Sequence, residues 1–250
     1  MSKLNLLTVF FLITLKLSTA QNLEFKNIWI VWDIGQGQWV THITTEECIH
    51  FDIGGEMGSY KYVDRPLKKN CVGKKNILLL SHWDFDHYFN ITAVNKNFSS
   101  VCWAVRPKLN KQGISIQKIV DLNIPPCSMS DLELLNVKTW VPTTGKTSND
   151  FSIVNSTDRF LLPGDSTIME EKQWDRTLDL QSIRVLVLGH HGSRTSTSAD
   201  LLGHLPQLKM AVASARLKKY GHPHKETLAR LQKNKTPVLR TEDWGSIWFL

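Results

Sequence analysis

The chain has 250 residues, 42% of them hydrophobic and 21% charged, a balance that excludes a disordered or fibrous protein and suffices for one domain with a full core. Its formal net charge of +7 is compatible with a polyanionic partner such as DNA, as it is for many secreted proteins. No repeat or low-complexity segment argues for a second domain.

Residues 1–20 read as a secretory signal peptide. Lys3 supplies the charged start, Leu4 to Leu15 the apolar core, and Ser18-Thr19-Ala20 a small-residue cleavage site. Lys16 ends the apolar run too early for a membrane span, and no later stretch is long enough for one. The expectation is an exported protein, periplasmic or secreted, that begins at Gln21 and has no stable membrane span after cleavage. Export bears on Cys48, Cys71, Cys102 and Cys127. In an oxidising compartment they form two disulfides of undetermined connectivity, or they remain buried thiols. Asn90, Asn97 and Asn155 each begin an N-x-Ser/Thr triplet, read here as chance, since a glycan on Asn90 would obstruct the cluster described next.

The domain then runs over 27–250. Strands are predicted at Asn27 to Ile34, Trp39 to Thr44 and Cys48 to Ile53, with a hairpin turn at Gly35-Gln36-Gly37 and a helix over Tyr60 to Lys69. The apolar run Ile77 to Leu80 reads as a buried strand that delivers Ser81-His82-Trp83-Asp84-Phe85-Asp86-His87. Alternation sends His82, Asp84 and Asp86 one way, and His87 turns in as a helix begins near Tyr88. Such a mixture of imidazole and carboxylate suits zinc, manganese or iron.

Val101 to Val105 follows as a strand, Ile114 to Val120 as a helix, and Val137 to Val141 as another strand. Ser148-Asn149-Asp150-Phe151-Ser152 precedes a strand, and Phe160-Leu161-Leu162 runs into Pro163-Gly164-Asp165. A second buried strand, Arg184 to Gly189, ends in His190-His191-Gly192-Ser193-Arg194-Thr195-Ser196-Thr197-Ser198, ahead of a helix near Ala199. Arg194, the hydroxyls and the helix-end amides could bind a phosphate there, alongside ordinary capping. Lys209 to Ala215 is the next strand, Tyr220-Gly221-His222-Pro223-His224 opens a helix running to about Gln232, and Val238 to Thr241 with Gly245 to Leu250 reads as a hairpin.

These motifs, in this order, resemble the soluble hydrolase domain of ComEC-type DNA-internalisation competence proteins, a branch of the metallo-β-lactamase fold. His-x-Asp-x-Asp-His corresponds to the fold's HxHxDH signature with Asp84 in place of the second histidine. Asp33 to Gln38 matches DVGQGD except for Gln38, and Asp52 to Gly55 is similar to IDTGG. Asn149 and Ser152 match an N-x-N-S element in which Phe151 replaces the second asparagine, and no histidine lies between His87 and His190. The resemblance implies an α/β protein, the metallo-β-lactamase αβ/βα four-layer sandwich. It implies one or two divalent ions, Zn or Mn, on His82, Asp84, Asp86, His87, Asp165 and His190, with Asp165 bridging. It further implies catalysis by Asp86, His191 and His222, the last protonating a leaving oxygen. Substrate contacts fall to Asp33, Asn149, Ser193, Arg194 and Thr195.

The activity so implied is hydrolysis of a DNA phosphodiester by metal-activated water. DNA is the substrate and a competence channel the partner. Two other readings stand beside it: a secreted hydrolase of another ester, lactone or β-lactam, and a module that binds DNA without cutting it.

Overall fold

The structure, a computed structural model, describes residues 27–109 and 113–250; the expected signal peptide lies outside the described residues. Twelve strands are present among them: β1 (Ile28–Val31), β2 (Val40–Ile43), β3 (Glu47–Phe51), β4 (Lys75–Leu79), β5 (Val101–Val105), β6 (Lys138–Trp140), β7 (Val154–Ser156), β8 (Phe160–Leu162), β9 (Val185–Val187), β10 (Met210–Ala213), β11 (Val238–Arg240) and β12 (Ile247–Phe249). They form two six-stranded sheets of order β12-β1-β2-β3-β4-β5 and β11-β10-β9-β8-β7-β6. Both sheets are mixed. β3, β4 and β5 run parallel in the first, and β8, β9, β10 and β11 in the second.

Strand alternation builds three apolar layers. Trp29, Val31, Ile49, Phe51, Ile77 and Leu79 face the other sheet, where Phe160, Leu162, Val185 and Val187 meet them. The alternate residues Ile30, Trp32 and Leu78 point outward onto Val63 and Leu67 of helix Tyr60–Cys71 and onto Ile91 and Val94 of helix Ile91–Asn97. On the far side Leu161, Leu186, Ala211 and Ala213 pack on Trp174, Leu201 and Leu231, from helices Ile168–Trp174, Ala199–Gly203 and Lys225–Lys233. The result is helix, sheet, sheet, helix: the four-layer sandwich expected.

The expected terminal hairpin is not formed. β11 pairs parallel with β10 in the second sheet, while β12 pairs antiparallel with β1 in the first. A short helix, Thr241–Trp244, carries the chain across, so the C-terminal residues close one sheet each. Four helices escaped the sequence reading, among them Leu217–Tyr220 and the Thr241–Trp244 crossing. Met129–Leu134 is announced only by its Ser128–Asp131 capping box, and Ile168–Trp174 begins directly after the Asp165 loop.

All four cysteines are paired. Cys48–Cys71 ties β3 to the end of helix Tyr60–Cys71, and Cys102–Cys127 ties β5 to the loop ahead of helix Met129–Leu134. Asn90 and Asn155 are buried and hydrogen-bonded, Asn90 to the Gly54 carbonyl and Asn155 to Thr139, which leaves no room for a glycan on either.

Candidate metal centre

β4 releases the chain at Leu80, and the following turn buries His82 and His87 side by side, ring centroids 4.2 Å apart. The loop is fitted against glycine. A Cβ on Gly54 would lie 1.6 Å from the Asp86 carbonyl oxygen, and one on Gly37 2.5 Å from the same atom. The Gly35-Gln36-Gly37 segment is therefore a wedge under the Asp86 loop as well as the connection between β1 and β2. The N–H groups of Gln38 and Gly55 both donate to that Asp86 carbonyl.

Each central histidine has one nitrogen committed. His87 Nδ1 donates to Asp52 Oδ2 at 2.8 Å, and His191 Nδ1 donates to the Ser214 carbonyl at 3.1 Å. Ser81 Oγ spends its proton on Asp52 Oδ2 at 2.9 Å, so it accepts from His82 Nδ1, also at 2.9 Å. With Nδ1 held in this way on each ring, the three Nε2 atoms turn to one space. His87 Nε2 and His191 Nε2 stand 3.3 Å apart.

Carboxylates close the space. Asp165 Oδ1 lies 3.0 Å from His87 Nε2 and 3.7 Å from His191 Nε2, while its Oδ2 lies 3.9 Å from His82 Nε2 and 3.7 Å from His190 Nε2. Asp86 Oδ2 is 3.1 Å from His191 Nε2, and Asp84 Oδ2 is 3.4 Å from His82 Nε2. Two groups, His82–His87–Asp165 and Asp86–His87–His191, thus have the spacing of metal ligands. The electrostatics agree. Burial opposes charge on His87, but the Asp165 and Asp52 carboxylates outweigh it and raise its pKa well above the ordinary value. Burial likewise disfavours charge on Asp165, and His87 and His191 still hold its carboxyl well below the usual range. The cluster demands positive charge at its centre.

The resemblance put His190 among the ligands and gave His191 a catalytic role; in the structure His191 lies deeper in the cluster than His190. His190 and His191 both have left-handed backbones, φ +49° and +57°, followed by Gly192 at +87°. Such a run costs on the order of 1–3 kcal/mol per non-glycine residue. It drives the His191 ring inward to Asp86 and His87. His190, partly exposed, faces the other oxygen of Asp165 and stands 3.3 Å from Asn149 Nδ2.

The remaining sequence-derived residues lie at the rim or off it. His222 follows a left-handed Gly221, and its ring centroid is 5.9 Å from that of His190. Burial first, then the neighbouring His191 and His190, lower its pKa to about 4. Ser193 is buried with its hydroxyl on Thr195, and Arg194 and Thr195 are exposed. Just ahead of the helix the Glu171 carboxylate accepts the N–H groups of Thr197 and Ser198, and in its first turn the Leu201 N–H donates to Ser198 Oγ. Asp33, expected to touch substrate, pairs with Arg216 at 3.1 Å.

Sequence reasoning missed the supporting residues. Asp52 is the foremost: buried, at φ +53°, it accepts from Gln38, from Ser81 twice and from His87. The signal was its place at a strand end before Gly54-Gly55. Gln38, where the related motif has an acid, acts as a neutral donor to Asp52 at 2.8 Å.

Comparison with known structures assigns the class: the fold is that of the metallo-β-lactamases. The metallo-β-lactamase fold protein YhfI of Bacillus subtilis superposes with a TM-score of 0.54 at 10% identity, covering 89% of this chain and 99% of that one. A diphosphatase of the PhnP family gives a TM-score of 0.52 at 10% identity, covering 89% and 97%. Within that class, the chain resembles ComEC-type competence proteins. It is 28% identical over 228 residues to Recombination protein 2 of Haemophilus influenzae, covering 86% of this chain and 28% of that protein. It is 27% identical over 228 residues to Competence protein ComA of Neisseria gonorrhoeae, covering 88% and 31%. The chain therefore spans about three-tenths of the length of these relatives. No family model matches it. Among the described residues, no helix is long and apolar enough to cross a membrane.

Proposed function

We propose that this chain is a metal-dependent phosphodiesterase that hydrolyses DNA. The observation that carries the metal is the convergence of histidine Nε2 atoms and carboxylate oxygens on one buried space. His82 Nε2 and Asp165 Oδ1 are both buried without a hydrogen-bond partner among the described residues, an expensive state that a cation relieves. His82, Asp84 and Asp165, with His190 alongside, would hold one ion, and Asp86, His87, His191 and Asp165 a second. A nitrogen and carboxylate set of this kind suits zinc or manganese.

Held there, a divalent ion would supply a bound water of lowered pKa and polarisation of a phosphoryl oxygen. The chain's own residues do the rest. Asp52, Ser81 and the Ser214 carbonyl keep the three rings turned so that their Nε2 atoms converge. Asp165 offers one oxygen to each group, which keeps the two sets in register. His222 stands at the rim beside His190, placed to serve a phosphoryl or leaving oxygen, and Asn149 borders the same edge. Arg194, exposed on the loop with Ser193 and Thr195, supplies a guanidinium fork for a backbone phosphate.

The competence-protein resemblance supports DNA as the substrate and a competence channel as partner, and the net charge of +7 is in keeping with a polyanion. The paired cysteines support export from the cytoplasm, the setting in which disulfides persist. The test is incubation of purified protein with manganese or zinc and three substrates: plasmid DNA, bis(p-nitrophenyl) phosphate and a chromogenic β-lactam. Turnover of both phosphodiesters, lost on chelation and in Asp165→Asn, is expected. Binding of plasmid without cleavage would make the chain a DNA-holding module, and cleavage of the β-lactam alone would make it a different hydrolase.

A further inference from the structure

Two motifs singled out in the sequence, Asp33-Ile34-Gly35-Gln36-Gly37 and Tyr220-Gly221-His222-Pro223-His224, take no part in the ligand cluster, yet the structure joins them. Arg216, just ahead of the second motif, gives its guanidinium to Asp33 at 3.1 Å and its backbone N–H to Gln36 Oε1 at 3.2 Å. The other end of the Gln36 amide, Nε2, lies 3.2 Å from His222 Nδ1. Gln36 is buried, so water does not offer it alternative partners.

These contacts determine proton positions. A backbone N–H can only donate, so the end of the amide at Arg216 is the carbonyl oxygen. The end at His222 is then the NH2, which can only donate in turn. His222 Nδ1 must therefore be the acceptor, and the single ring proton sits at Nε2. A second ring proton at Nδ1 would point directly at the amide hydrogens.

We propose that Gln36 is a positioning residue that locks His222 as the Nε2–H tautomer, so that His222 meets the substrate as a hydrogen-bond donor and keeps its proton. The role replaces the proton-transferring one expected from the sequence. It rests on the phosphodiesterase reading above for what His222 touches, though the lock itself does not. The low pKa of His222, set by burial and by its histidine neighbours, is in keeping with a ring that stays neutral at pH 7.

The experiment combines a spectrum with kinetics. Protein labelled with nitrogen-15 histidine gives a long-range proton–nitrogen correlation pattern that distinguishes the two tautomers, and His222→Gln identifies the His222 signals by their loss. The parent is expected to show Nδ1 unprotonated. Gln36→Glu, which offers the ring an acceptor, is expected to place a proton on Nδ1, and Gln36→Met, which offers neither, to leave a mixture. On bis(p-nitrophenyl) phosphate and on DNA, Gln36→Glu should lose roughly ten- to a hundredfold in kcat with metal content intact, the cost of one hydrogen bond to a charged oxygen. His222→Gln should lose as much, and the double variant no more than either.

An Nδ1–H tautomer in the parent, or a spectrum unchanged in both Gln36 variants, overturns the lock. Additive losses in the double variant overturn its action through His222. If the parent cleaves no phosphodiester at all, the functional reading fails, while the spectrum still decides the lock on its own.

Discussion

Asp52→Asn isolates the hydrogen bonds that aim the ligands. Asp52 Oδ2 accepts from Gln38 Nε2 at 2.8 Å, Ser81 Oγ at 2.9 Å and His87 Nδ1 at 2.8 Å, while Oδ1 accepts from the Ser81 N–H at 2.7 Å. An amide has one oxygen. If that oxygen takes the Oδ2 place, the new NH2 is set against the Ser81 N–H; if it takes the other, three donors face an NH2. The better choice leaves one buried donor pair unsatisfied, about 1–3 kcal/mol, and turns a charge-assisted bond to His87 into a neutral one, about 1 kcal/mol more. Backbone strain does not confuse the comparison, since Asn tolerates φ +53° as readily as Asp does. Expected is a loss of about 2–4 kcal/mol in urea unfolding. Zinc affinity, measured by competition with a chromophoric chelator, should fall roughly ten- to a hundredfold, as for other outer-shell partners of ligating histidines. Zinc affinity within about twofold of the parent would refute the assignment of Asp52 as the residue that orients His87.

The layers were legible because strand alternation and buried apolar runs carry them: Ile77 to Leu80 delivers the His82–His87 turn where expected. The His and Asp cluster was legible as a candidate site for the same reason, a strand end followed by clustered His and Asp. What was not legible depended on backbone direction. Matching motifs by their order along the chain cannot see two consecutive left-handed residues, which set the direction of the His190 and His191 rings. Nor can local pattern separate a hairpin from two strands that part into different sheets, which is how Val238–Arg240 and Ile247–Phe249 were misjoined. The outer residues Asp52, Gln36 and Glu171 were hidden because their partners are distant in sequence. Glu171 lies in a helix that the sequence did not announce, and only the fold brings its carboxylate to the N–H groups of Thr197 and Ser198.

Further outcomes follow from the same geometry. Gly54→Ala must push the Asp86 carbonyl away from a Cβ built 1.6 Å from it, so metal affinity should drop together with about 1–3 kcal/mol of stability; an alanine variant with parental zinc affinity refutes the close fit. Fully buried His50 is held neutral, its pKa lowered by burial from 6.5 to about 4. The unfolded chain thus takes up this proton first on acidification, and up to about 3 kcal/mol of stability is lost as pH falls from about 6.5 to about 4. His50→Gln should flatten the dependence of unfolding free energy on pH in that window, and an unchanged slope counts against it. Cys102→Ser with Cys127→Ser reopens a loop of sequence separation 25 and should cost about 3 kcal/mol in urea unfolding; no loss would mean the pair is not closed in the protein. The last outcome concerns Arg194. Its carbonyl accepts from the Arg230 guanidinium, a bond that survives truncation of the Arg194 side chain, so Arg194→Ala should leave the His191 loop in place. DNA hydrolysis should then fall roughly ten- to a hundredfold with metal content intact, and Arg194→Lys should recover only part, because an ammonium cannot match two phosphate oxygens at once. Loss of metal in Arg194→Ala would make the residue a structural part of the loop, and unimpaired cleavage would remove it from the substrate path.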